Sequence, residues 1–80
     1  MATRTAVVRG YNIDPKTIAA YLPANYKVVD SGDDYVLIEG EDSMGWTLDD
    51  YVIPRLASGN YFAKEKAEDD GPEALLAMFR

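Results

Sequence analysis

Apolar positions in this chain alternate, then recur every third or fourth residue, then alternate again, so strands and helices are interleaved. Residues 5–11, TAVVRGY, are rich in β-formers and read as a strand. Asn12-Ile13-Asp14-Pro15 then opens a helix. The Asp14 carboxylate suits amides that lack intrahelical partners, and Pro15 suits the first helical position because no donor is needed there. Ile18, Tyr21 and Leu22 follow at helical spacing, and Pro23 stops the element. Residues 26–30 (YKVVD) and 35–39 (YVLIE) are the next strands. The Ser31-Gly32-Asp33-Asp34 stretch between them is turn chemistry, which predicts a β-hairpin. Residues 40–45 read as a polar loop.

Thr47 is the expected N-cap of a second helix, with Asp49 and Asp50 in its first turn, where carboxylates favour the positive end of the helix dipole. Thr47 and Asp50 approximate a capping box. Leu48, Tyr51, Val52 and Leu56 make one apolar stripe. Pro54 interrupts the pattern and is expected to kink the helix or end it early. Gly59 fits the position after the helix, where a left-handed conformation is wanted. Residues 60–65 (NYFAKE) read as a fourth strand, and residues 66–71 as a charged loop. Pro72 opens a last helix with Leu75, Leu76 and Phe79 on one face and Met78 near its edge. The order is strand, helix, strand, strand, helix, strand, then a helix. This predicts an α+β protein with a ferredoxin-like βαββαβ arrangement and an appended C-terminal helix. No repeat, linker or low-complexity tract divides residues 1–80, so one domain is expected.

Composition narrows the chemistry. Eighty residues give room for one core and little room for a deep pocket. The chain has no cysteine and no histidine. Disulfides, zinc–thiolate sites and the commonest general base and metal ligand are therefore absent. No window approaches the ~20 apolar residues that span a bilayer, and the first ten residues lack a signal-peptide core. A soluble, cytoplasmic protein with no membrane partner is expected. Net charge is −6, and no lysine or arginine lies between Lys27 and Arg55. That interval holds Asp30, Asp33, Asp34, Glu39, Glu41, Asp42, Asp49 and Asp50. Such a segment repels a phosphate backbone, so direct nucleic-acid binding is not expected. It attracts a basic protein surface.

Catalytic residues are hard to find. The adjacent acids Asp33/Asp34, Glu41/Asp42, Asp49/Asp50 and Asp69/Asp70 sit in turns or helix starts. Acid–base work needs two carboxyls in different environments. Asp30, Asp33, Asp34 and Glu39 lack the spacing of a calcium loop, and GEDSMG (residues 40–45) lacks the lysine and glycine pattern of a phosphate loop. No enzyme, cofactor or metal site is expected. The aromatics are more suggestive. Tyr11, Tyr26, Tyr35 and Tyr61 lie in or beside strands, which predicts a tyrosine-bearing open sheet face. Trp46, the only tryptophan, precedes the expected N-cap. There it either staples onto Tyr51 or, with Met44, forms a binding hot spot rimmed by acids. The candidate partner-binding residues are Glu41, Asp42, Met44, Trp46, Asp49, Asp50 and Tyr35.

GWTLD and YVIPRL, followed by SG, resemble a segment of short uncharacterised proteins of actinobacteria and their phages. The matching residues are Gly45, Trp46, Thr47, Leu48 and Asp49, then 51–56, then Ser58 and Gly59. The upstream RGYNIDPKTIAAYLPANY is similar in character. The resemblance carries no activity, but it implies a phage or prophage origin and a proline built into its element. The expected function is a non-enzymatic acidic interaction protein that binds and modulates a host protein in the host cytoplasm. The alternatives are a nucleic-acid mimic that inhibits a host defence or DNA-binding protein, and a small dimeric regulator or ligand-sensing module.

Overall fold

The hydrophobic alternation of β1 (Thr3–Gly10) sends Ala6 and Val8 to one sheet face and Val7 to the other. The computed structural model describes residues 3–66. After β1 come α1 (Pro15–Tyr21), β2 (Tyr26–Ser31) and β3 (Val36–Glu41). A π-helical stretch (Leu48–Val52) then leads into α2 (Ile53–Ser58), and β4 (Tyr61–Lys66) follows. The strands form a four-stranded sheet in the order β2-β3-β1-β4, with each neighbouring pair antiparallel. The α+β class and the element order match the expectation, and the strand order is compatible with a split βαβ arrangement. The expected C-terminal helix over residues 72–80 lies outside the described residues.

Both helical elements cover one face. Ile18 from α1, Leu48 and Val52 from the π-helical stretch, and Leu56 from α2 pack with Ala6, Val8, Tyr26, Val36 and Ile38 of the sheet. Leu48, Val52 and Leu56 make the expected stripe, whereas Tyr51 stays 47% exposed. The expectation of a tyrosine-bearing open face is corrected. Tyr26 is in the core and Tyr61 packs against it, so both face the helices. Tyr11 lies in the turn after β1 and is exposed. The opposite face carries Val7 with its register partners Leu37 and Lys64, and Arg9 with Phe62.

Local chemistry explains most boundaries. Asp14 caps α1 by accepting from the Lys16 amide at 2.9 Å, with Pro15 in the first turn. The Gly32 amide closes the β2–β3 turn on the Tyr35 carbonyl at 2.9 Å. Gly59 follows α2 as expected, but its φ is −99°; the left-handed residue is Asn60, at φ 66°. Asparagine is the side chain that most readily takes glycine's place there.

Pro54 does not end the helix early, since helical structure continues past it to Ser58. Proline has no N–H, and its ring crowds the carbonyl four residues earlier. The turn ahead of it widens, so that Ile53 N–H donates to the Leu48 carbonyl five residues back. A π-turn of this kind admits the ring without losing the helix. α2 then continues through Pro54 to Ser58.

Candidate functional site

The loop joining β3 to the second helix is where the candidate binding residues gather, and one buried carboxylate shapes it. The helix begins at Trp46, one residue before the expected N-cap. Thr47 is therefore helical, at φ −63° and ψ −43°, and makes no side-chain cap bond. The cap is Asp42. Its Oδ2 accepts from the Leu48 amide at 2.8 Å and from the Tyr26 hydroxyl at 2.9 Å, and its Oδ1 accepts from the Thr47 amide at 3.4 Å. Two orphan amides of the first turn are thus satisfied from a residue upstream in the loop. Gly40 makes this geometry accessible. A side chain there would collide with the Tyr26 ring, whose nearest carbon would lie 2.6 Å from the added Cβ.

Arg4 fastens the loop from the sheet side. Its Nε donates to the Asp42 carbonyl at 2.7 Å, one terminal nitrogen donates to the Ser43 carbonyl at 3.2 Å, and the other is salt-bridged to Glu65. Gly45 turns the chain into the helix at φ 75°, a left-handed conformation that costs glycine little. Its carbonyl accepts from the Asp49 amide at 3.0 Å, the first regular bond of the helix.

The electrostatics follow from these contacts. Burial pushes the Asp42 carboxyl up, but the Leu48 amide, the Tyr26 hydroxyl, the Thr47 amide and the Arg4 charge outweigh it. The group rests below the usual carboxylate range and stays ionised. Burial is also the main cause raising the Tyr26 hydroxyl, with the Asp42 bond second. The bond to Glu65 leads the causes that raise the Arg4 guanidinium. This is a fixed ion, not an acid–base pair: neither Asp42 nor Tyr26 changes its protonation near neutral pH.

The candidate residues divide into three groups. Met44 and Trp46 are 64% and 67% exposed, and Asp49, Asp50 and Glu41 are exposed beside them in the chain. Asp42 is buried, and its carboxylate is engaged within the protein, so it supports the loop from inside. Tyr35 precedes β3, at the opposite end of that strand from Glu41, with its ring against Gly32. It stands apart from the other candidates. The alternative of a staple between Trp46 and Tyr51 is not seen as a buried contact, since Trp46 stays 67% exposed and Tyr51 about half exposed. Arg55 lies over the Tyr51 ring at 6.0 Å and over the Tyr21 ring at 5.8 Å.

Reasoning from the sequence missed Arg4 and the capping role of Asp42. Glu41 and Asp42 were recognisable as a polar pair, but a cap supplied from several residues upstream has no local spacing rule. The one available signal was Gly45, which marks a turn just before the helix.

Among the described residues, no group of three or more aspartates or glutamates converges as a metal site. A shallow pocket lies beside the start of β2 and the end of β3, lined by Asn25, Tyr26, Lys27, Glu39 and Glu41 among others. Lys27 and Glu39 face each other there in register. No described helix is long and apolar enough to cross a membrane. Comparison with protein-family models, curated proteins and solved structures returns no match to this chain.

Proposed function

We propose that this chain is a non-enzymatic interaction protein that binds a protein partner through the Met44–Trp46 loop and the first turn of the helix after it. The carrying observation is a fixed loop with an apolar tip: Met44 and Trp46 are exposed, while Asp42 and Arg4 lock the backbone behind them. A loop whose backbone is already fixed has less freedom to lose on binding, and tryptophan is prominent among interface hot spots. The acids around the tip favour a partner with a basic surface. In this reading the domain is ferredoxin-like and acts in the cytoplasm on a host protein, with the phage or prophage origin that the GWTLD and YVIPRL segments imply.

A tagged pull-down from actinobacterial lysate at low and high salt, with Trp46→Ala alongside, tests the proposal. The expected result is a retained protein that is lost with the variant while circular dichroism is unchanged. Retention of the same proteins by both forms would refute it. A partner displaced by DNA, and released steeply by salt, would instead favour nucleic-acid mimicry.

A further inference from the structure

The exposed indole does not stand alone on the helix. Residues three and four apart on a helix are surface neighbours, roughly 5–6 Å between Cβ atoms. Asp49 and Asp50 occupy those positions relative to Trp46, and both are exposed. The same surface therefore offers a π-face and two carboxylates one turn away. Neither acid needs to cap this helix, because Asp42 already accepts from the Thr47 and Leu48 amides. Arg4, the cation behind the loop, is held by the Asp42 and Ser43 carbonyls and by Glu65. Tyr51, the next ring along, already has Arg55 over it at 6.0 Å.

We infer that the Trp46 ring and the Asp49–Asp50 pair form a receptor for an arginine side chain of the protein partner. A guanidinium is planar and weakly hydrated. It stacks on an indole while its N–H fork reaches a carboxylate, which the compact ammonium of lysine does less well. Met44 supplies the apolar edge against which the stem of that side chain lies. The inference rests on the proposed interaction through this loop and specifies the chemistry it recognises.

The test is selection of a random twelve-residue peptide display library on the immobilised full-length protein. Trp46→Leu and the double variant Asp49→Asn, Asp50→Asn are selected in parallel. All three positions are exposed, and circular dichroism checks each fold. The expected result is several-fold enrichment of arginine over its library frequency on the unaltered protein, with no equal enrichment of lysine. Both variants lose that preference. Equal enrichment of arginine and lysine, or an arginine preference that survives either variant, overturns the inference. Apolar peptides that need Trp46 but ignore Asp49 and Asp50 overturn it while leaving the broader interaction reading intact. Selection of no peptide family overturns the inference, and the lysate pull-down then decides the broader reading on its own.

Discussion

Asp42 shows how much one side chain does in a small domain. It joins the Tyr26 hydroxyl of β2 to the Leu48 and Thr47 amides of the next helix, so three segments meet on one carboxylate. Asp42→Asn keeps the shape but removes the charge and one acceptor. It is expected to destabilise the fold by about 2 kcal/mol, the scale of hydrogen bonds to a buried charged group, measured by denaturant unfolding. The pH dependence has a definite sign. The Asp42 value is lowered in the folded state from 3.8, so its stabilisation is present above that value and lost as pH falls through the folded one. Acid unfolding of the unaltered protein should therefore steepen below about pH 4, where an unperturbed aspartate titrates. The Asp42→Asn variant should show less steepening over the same interval.

At the scale of elements, Pro54 presents a sharper case. The π-turn before it accommodates a residue that would otherwise break the helix, so Pro54→Ala should keep the fold. The substitution restores an amide donor at this position, and hydrogen exchange should show it protected. Free exchange of that amide would mean that the wide turn is set by packing of Leu48, Val52 and Leu56 rather than by the proline. What was legible in the sequence follows from how local each signal is. Asp14, Pro15 and Pro23 bracket α1 with chemistry confined to a few residues, and the observed cap agrees. The turn at Gly32 and the apolar runs of β2 and β3 were local too. Thr47 misled because a threonine ahead of two aspartates looks like a cap, while the acceptor in use sits in the preceding loop. Gly59 misled because Asn60 accepts the left-handed conformation. The tyrosines misled because a ring in a strand has no face until register is known.

For the whole molecule, charge is the dominant consideration. A net charge of −6 on eighty residues includes exposed acids at Asp30, Asp33, Asp34, Glu41, Asp49 and Asp50. Their mutual repulsion opposes compaction. Raising ionic strength from about 0.01 M to about 0.15 M shortens the screening length from about 30 Å to about 8 Å. The melting temperature is expected to rise over that range in differential scanning calorimetry. A fall would mean that attractive pairs such as Arg9–Asp34 and Arg4–Glu65 outweigh the repulsion. The core is also small enough for single deletions to matter. Ile38 is fully buried in a central strand, and Ile38→Ala should cost about 2–5 kcal/mol by thermal or chemical unfolding.

The exposure of Trp46 also decides how this protein emits light. As the only indole of the chain, it is the sole source of tryptophan fluorescence, and it already stands in water in the folded state. Unfolding therefore changes its surroundings little, and its emission follows denaturation weakly. Covering it with another molecule removes that water and shifts the emission to the blue. The side chain on which a partner would close is thus also an optical probe of that closure, present without any label.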